Sequence, residues 1–307
     1  MRLKGAILLA CLSLAALLLG TTIGDRIVSH QVMVGCLFVQ TFLAVSSLSK
    51  GWHRGKRNYL LAGKLFIINI LAGSCIMFLF ALMFGLKTPE GQGFAILAAV
   101  PVAAGLPVYA AVVGLDPRRI HIMCIISYVS SLIITPIILH ELLLGNWIKS
   151  QMSLSLGFGL VLPTSLALLF TKITKRIPQK FSHWLMLTCV FIIILNVGGS
   201  LELLTRNSIR LNLSLLLLIG ASLARAPLCG LIGMTLSKFG PLRTRPVEAA
   251  LAGGYKNAAL AATIGLVVGG PRAAIPGALG LISESILLIL LAFLPVSYEE
   301  THLSVDS

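Results

Sequence analysis

The amino-acid sequence is a succession of long apolar runs separated by short polar stretches. A helix that crosses the hydrocarbon core of a bilayer needs about 20 mostly apolar residues. By this criterion the hydrophobic pattern predicts ten membrane-spanning segments, which we number in chain order. Their approximate ranges are 5–23, 31–49, 58–85, 92–114, 118–145, 150–173, 182–204, 208–239, 246–269 and 272–296. Because no long linker separates them, they predict one all-α polytopic membrane domain within residues 1–307, with a tail at 297–307.

The composition supports this prediction. Hydrophobic residues make up 57% of the 307 positions, charged residues make up only 11%, and the mean hydropathy is +0.97. A soluble chain carries about 25% charged residues. The composition therefore excludes a soluble enzyme, a disordered chain and a disulfide-rich secreted domain. The net charge of +14 is expected to hold loops at the cytoplasmic face and to contact anionic lipid, so it predicts no nucleic-acid partner.

The first segment has two interpretations. Arg2 and Lys4, followed by the apolar run 5–20, resemble the start of a secretory signal peptide. No clear small-residue cleavage site follows this run, and its absence favours a retained membrane helix. We therefore expect segment 1 to belong to the membrane domain.

The distribution of Lys and Arg predicts the orientation of the segments. Fifteen of the 24 Lys and Arg residues lie near the N-terminus or in the loops after even-numbered segments, and six lie in the loops after odd-numbered segments. Because positive charge favours cytoplasmic loops, both termini and the tail 297–307 are expected in the cytoplasm. The ten segments form two halves, about 5–145 and 150–296. Five crossings in each half give the halves opposite orientations, which is the condition for an inverted repeat.

Segments 4 and 9 each contain residues that interrupt a helix near mid-depth. Segment 4 carries the run 101–109 with Pro101, Gly105 and Pro107, and segment 9 carries the run 252–258 with the glycine pair 253–254. Proline removes a backbone donor, and glycine tolerates an unwound backbone. Interrupted segments at matching places in two halves indicate the binding site of a transporter. The alternative is a pair of ordinary kinks with close helix packing.

Three charged residues lie near the middle of predicted segments: Arg225, Lys256 and Glu284. Each costs at least about 2.5–3.5 kcal/mol at the bilayer centre unless it has a partner or water. We expect them to share one polar pocket, and the alternative is a purely structural ion pair between Glu284 and one of the cations. Two cations and one anion favour an anionic ligand. The predicted binding residues, none of them a metal ligand, are Lys256, Asn257, Tyr255, Pro107, Tyr109, Arg225 and Glu284.

Enzymatic activity is not expected. Prenyl transfer needs paired acidic motifs that hold Mg²⁺, but aspartate occurs only at positions 25, 116 and 306. The HExxH motif of metalloproteases is absent from the sequence. A channel or a structural membrane protein is a further alternative, against which the paired interruptions and the mid-depth charges argue.

The run from Ala99 to Asp116 is followed by the serine pair 130–131 and Thr135-Pro136, and a second run, 253–260, reads Gly-Gly-Tyr-Lys-Asn-Ala-Ala-Leu. These two stretches resemble the bile acid:sodium symporter family and its wider superfamily, which includes auxin-efflux-type carriers. The first stretch is similar to segments 4 and 5 of that family, and the second is similar to its segment 9. The resemblance implies a ten-helix inverted repeat in which the broken helices 4 and 9 cross, and a core of helices 3–5 and 8–10 that moves against the remaining panel.

The chain departs from the family at the sodium site. Sodium-coupled members carry Glu, Gln, Ser and Asn around the crossing, whereas the matching positions here are Ala252, Lys256, Leu106 and Pro107. A lysine ammonium repels Na⁺, and a hard cation needs several oxygen ligands. We therefore expect no cofactor and no sodium coupling through these positions.

The resulting hypothesis is a secondary active transporter of a small organic anion that works by alternating access, with Lys256 in place of the sodium site. A sodium-independent auxin-efflux-type carrier and a proton-coupled exporter are the alternatives, since burial can lower a lysine pKa enough for proton coupling. The short loops are typical of a bacterial inner-membrane protein, and an organellar membrane is the alternative. The substrate, the direction of transport, the coupling ion and the oligomeric state are left open by the sequence.

Overall fold

The computed structural model describes residues 2–23, 30–48, 56–103, 105–142, 161–173 and 213–294, with isolated positions at 158 and between 185 and 198. Every regular element within these residues is helical, as the hydrophobic pattern predicts. The first part of predicted segment 6, most of segment 7 and the tail 297–307 lie outside the described residues.

The described helices follow the predicted segments. They are α1 Arg2–Ile23, α2 His30–Leu48, α3 Lys56–Ile68, α4 Cys75–Phe84, α5 Pro89–Ala99, α6 Leu106–Val112, α7 Pro117–Leu142, α8 Leu162–Ile173, α9 Leu213–Leu236, α10 Pro246–Gly254 and α11 Ala258–Ala292. A π-helical turn, Asn69–Ser74, joins α3 to α4, and a short 3-10 helix, Gly240–Leu242, precedes α10. Among the described residues, four helical stretches are long and apolar enough to cross a membrane: Asn58–Phe84, Pro117–Leu139, Leu213–Leu236 and Val268–Ala292.

Segments 4 and 9 are each divided into two helices. In segment 4 the chain leaves α5 at Ala99 and enters α6 at Leu106, and in segment 9 it leaves α10 at Gly254 and enters α11 at Ala258. These interruptions lie where proline and paired glycines predict them. With 11 residues in α5 and nine in α10, each helix extends only about 14–17 Å at about 1.5 Å per residue. Neither helix alone can cross a hydrocarbon core roughly 30 Å thick.

Most of the interrupted backbone lies inside the protein. The side chains described from 93 to 102 are all buried, and so are those from 247 to 265. A backbone without regular hydrogen bonds is tolerated at membrane depth only where protein surrounds it or where it lines a cavity. The interruption in segment 9 satisfies this condition throughout, and the one in segment 4 does so as far as Val102, since Ala103 and Gly105 are partly exposed.

A sharp reversal divides α11 into two antiparallel helices, 258–269 and 271–292. At the reversal Gly270 has φ 75° and ψ −165°, a conformation open essentially to glycine alone, and Pro271 follows it. Beyond the turn the two helices pack with their backbones in close contact. A Cβ atom at Gly265 would overlap the carbonyl oxygen of Ala273, and one at Gly277 would overlap the backbone nitrogen of Ala262.

We expect Gly265→Ala to destabilise this hairpin. The added methyl group has to separate the two helix backbones, and overpacking of this kind costs about 1–3 kcal/mol. The matched control is Gly220→Ala in α9, where a Cβ atom meets nothing within 4 Å. Because alanine is the better helix former, the control is expected to be neutral or stabilising by up to about 1 kcal/mol. Unfolding of both variants in mixed micelles measures the difference, and equal stability of the two variants would contradict the close packing.

Candidate functional site

The two interruptions contact each other directly. The backbone N–H of Asn257 donates a hydrogen bond to the carbonyl oxygen of Pro101 at 2.7 Å. The side chain of Asn257 also begins the next helix, because its Oδ1 accepts from the N–H of Leu260 at 3.0 Å. Its Nδ2 donates to the hydroxyl of Tyr128 in α7 at 3.0 Å. Asn257 therefore joins the two interruptions and the neighbouring helix α7.

The carbonyl groups at the end of α5 receive donors from other elements. A helix end leaves carbonyls without intrahelical partners, and burial makes unpaired carbonyls costly. The oxygen of Ala99 accepts from the hydroxyl of Thr135 at 2.7 Å. The oxygens of Val100 and Ala98 accept from Nζ of Lys256, at 3.2 Å and 3.4 Å. Side chains from the rest of the chain thus complete the broken end of α5.

Lys256 places its ammonium group at this end of α5. In addition to the two carbonyls, Nζ donates to Oγ of Ser74 at 2.6 Å. A charged lysine has three protons to donate, and three oxygens surround it here. The negative end of the α5 helix dipole also favours a cation at this position. Lys256 is only 3% exposed, and no carboxylate in the described part of the chain lies within 4 Å of its Nζ.

Arg225 and Glu284 form a buried ion pair on the other side of the interruption in segment 9. Arg225 Nη2 lies 2.6 Å from Glu284 Oε1, and both side chains are almost fully buried. The same carboxylate oxygen accepts from the backbone N–H of Lys256 at 3.2 Å. A Cβ atom at Gly280 would come within 2.9 Å of Arg225 Nε, so glycine is needed beside the guanidinium. Glu284 therefore neutralises Arg225 and holds the unwound backbone of segment 9.

Arg225, Lys256 and Glu284 lie close together, but in an unequal arrangement that differs from one shared polar pocket. Glu284 contacts the side chain of Arg225 and only the backbone of Lys256. The side chain of Lys256 extends instead towards α5 and the π-helical turn. A purely structural ion pair, the alternative considered above, explains the burial of Arg225 and Glu284. It does not explain the Lys256 ammonium, which contacts only neutral oxygens among the described residues.

The remaining predicted residues lie around this centre. The rings of Tyr109 and Tyr255 pack with their centroids 5.3 Å apart. The hydroxyl of Tyr255 donates to the backbone oxygen of Glu284 at 2.8 Å. Pro107 is buried in the first turn of α6, where its missing N–H costs no helical hydrogen bond. Pro107 therefore helps to start α6, and the tyrosines connect α6 with the ion pair.

The π-helical turn contributes two residues that are absent from the predicted set. Asn69 Nδ2 donates to the oxygen of Ala252 at 2.6 Å and to that of Tyr255 at 3.2 Å. Asn69 thus pairs the free carbonyl groups at the end of α10, as Lys256 pairs those at the end of α5. Ser74, the oxygen partner of Lys256, ends the same turn. The sequence does single out Asn69, because it is a polar residue in the middle of an apolar segment. Nothing in the sequence distinguishes Ser74 from other serines.

We expect Asn69→Leu to destabilise the protein by about 1–3 kcal/mol, because two buried carbonyl groups lose their donor. The matched control is Ile67→Ala, two residues earlier in α3, whose side chain is 45% exposed. Its effect is expected to be smaller because no polar group is left unpaired. Thermal unfolding in lipid–detergent micelles measures both variants. An Asn69→Leu protein as stable as the Ile67→Ala protein would contradict the role of Asn69 at the end of α10.

The chain is an α-helical protein with apolar helices of membrane-spanning length, and its buried polar centre lies at two contacting helix interruptions. No protein-family model matches the chain, and no curated protein matches it. The function is therefore argued from the geometry of this centre.

Proposed function

We propose that the protein is a secondary active transporter of small organic anions and that it works by alternating access around the two interruptions. The observation that carries the proposal is the direct contact between the interruptions, with the Lys256 ammonium at the contact. Unwound backbone paired in this way is typical of transporter binding sites, where half-helices present their ends to a solute. An ion pair that served only to stabilise the fold would need no third charge at this place.

We propose that the chain forms ten helices as an inverted repeat, in two halves that exchange contacts. Glu90 at the start of α5 lies 3.5 Å from Arg272, and Glu248 at the start of α10 lies 3.4 Å from Arg119. Each pair joins an interrupted segment of one half to the segment that follows the interrupted one in the other half. This reciprocal arrangement supports the repeat. The distribution of Lys and Arg among the loops separately supports cytoplasmic termini, and we propose that the membrane is a bacterial inner membrane.

Sodium does not fit this site. The Lys256 ammonium takes the carbonyl oxygens of Ala98 and Val100, and a second cation beside it would be repelled. The side chains of Ala252, Leu106 and Pro107 supply no oxygen ligands. We infer that Lys256 acts as a tethered cation and that the protein is a divergent, sodium-independent relative of the bile acid:sodium symporter family.

Lys256 also provides a place for the anionic group of a substrate. Its contact with the Ala98 oxygen, at 3.4 Å, is the longest of the three made by Nζ. A carboxylate or sulfonate oxygen can replace this long contact, because an ammonium group attracts an anionic oxygen more strongly than a neutral carbonyl oxygen. The contact with Ser74 at 2.6 Å keeps the ammonium in position. The anionic group would thus take the place of the Ala98 oxygen beside the ammonium, while Ser74 and Val100 keep the ammonium at the contact between the interruptions.

Transport by purified protein in liposomes tests this proposal. A panel of radiolabelled carboxylates and sulfonates is offered with a sodium gradient or a pH gradient imposed separately. We expect saturable, protein-dependent flux of at least one organic anion that does not require Na⁺. A flux that requires Na⁺ at neutral pH would contradict the tethered-cation role, and no protein-dependent flux of any anion would contradict the transporter.

A further inference from the structure

The charges at the crossing sum to a single positive charge. Arg225 and Glu284 neutralise each other at 2.6 Å. The Lys256 ammonium is held by Ser74 and by two backbone oxygens, which are neutral. By sequence, the middle of every other predicted segment lacks Asp, Glu, Lys and Arg, apart from Lys64, which lies about two turns from the end of segment 3. The buried centre therefore lacks one negative charge.

We propose that the site where the two interruptions meet selects monovalent anions. With such an anion bound, the site carries no net charge while its access switches from one side of the membrane to the other. The inference rests on the proposed transport function and specifies its substrate class. A monoanion that binds beside Lys256 cancels the remaining charge. A dianion would leave one negative charge at mid-depth, and a neutral solute would leave one positive charge. Either charge is costly at the centre of the bilayer, and its movement would depend on the membrane potential.

Pairs of probes that differ by one charge and little else test this selectivity. Succinamate and succinate form one pair, phthalamate and phthalate a second, and benzenesulfonate and benzene-1,3-disulfonate a third. Each compound is measured by counterflow exchange in proteoliposomes at pH 8, where the dicarboxylates are fully ionised. The membrane potential is set to zero or to about 100 mV with potassium and valinomycin.

For any transported pair, we expect the monoanion to exchange at least about tenfold faster than the dianion. We also expect its exchange to change by less than about twofold between the two potentials, because the loaded site carries no net charge across the field. Glu284→Gln raises the charge of the centre by one, so this variant is expected to shift the preference towards the dianion. Lys64→Gln removes a lysine charge outside the crossing and is expected to leave the preference unchanged.

Two results would overturn the inference while leaving the transporter standing: a dianion exchanged as fast as its monoanion, or monoanion exchange that varies steeply with potential. Absence of exchange for all six probes, in protein that also transports no other organic anion, would contradict the proposed function and this inference with it. If Glu284→Gln fails to fold, the comparison of probes in the unmodified protein still decides the question.

Discussion

Replacement of Lys256 by alanine or by glutamine is expected to reduce concentrative transport to the level of protein-free liposomes. Both substitutions remove the ammonium group that faces the broken end of α5, and with it the charge that an anion would meet. Lys256→Ala is expected to lose about 1–3 kcal/mol of stability, because the buried oxygens of Ala98 and Val100 lose their donor. Both variants are still expected to fold, because the ion pair between Arg225 and Glu284 and the contact between Asn257 and Pro101 do not involve the lysine side chain. Proteoliposome flux measures activity, and size-exclusion profiles with thermal unfolding measure folding.

The matched control for this experiment is Lys64→Gln. Lys64 lies in α3, within the same membrane domain, and is only partly buried, so its ammonium can reach the interface. Flux through this variant is expected to equal that of the unmodified protein. If both Lys256 variants fold and transport at the full rate, the ammonium has no part in transport, and the proposed role of Lys256 is wrong.

Separation of the buried ion pair is expected to produce the largest loss of stability. Arg225→Met leaves Glu284 buried without its cation, and Glu284→Met leaves Arg225 buried without its anion. Loss of one partner of a buried pair costs about 3–5 kcal/mol. The double replacement removes both charges and is expected to recover most of this loss, since apolar residues of similar volume often substitute for a buried pair at little cost. Denaturant unfolding of the four proteins gives the coupling energy directly.

The partly exposed pair between Glu90 and Arg272 supplies the control for that cycle. Its atoms are 3.5 Å apart and the arginine side chain is 49% exposed. Arg272→Met is therefore expected to change stability by less than about 1 kcal/mol. Single Arg225 and Glu284 variants that cost no more than this control would show that the buried pair is not needed for the fold.

Sequence alone predicts the backbone of the site well, because its signals are local. Pro101 with the glycine and proline that follow it, and the glycine pair 253–254, place both interruptions where the structure has them. The cost of a charge at mid-depth identifies Arg225, Lys256 and Glu284 as buried neighbours. These predictions depend on the residue type and its depth, which the sequence contains.

The choice of partners could not be predicted, because it depends on contacts between distant residues. Depth alone allows Glu284 to pair with either cation. The structure pairs it with Arg225, whose guanidinium lies against Gly280. Gly73 similarly lets the π-helical turn approach Lys256, where a Cβ atom would lie 3.2 Å from Cε. Ser74 becomes a partner of Lys256 only through this approach.

An experimentally determined structure of the protein in lipid tests the central claim most directly. The quantity to measure is the position of the Lys256 side chain relative to the two interruptions. We predict that Nζ lies within hydrogen-bonding distance of Ser74 Oγ and the Val100 oxygen, and that Asn257 contacts Pro101. A side chain of Lys256 that faces lipid or headgroups, away from the interruption in segment 4, would contradict the account.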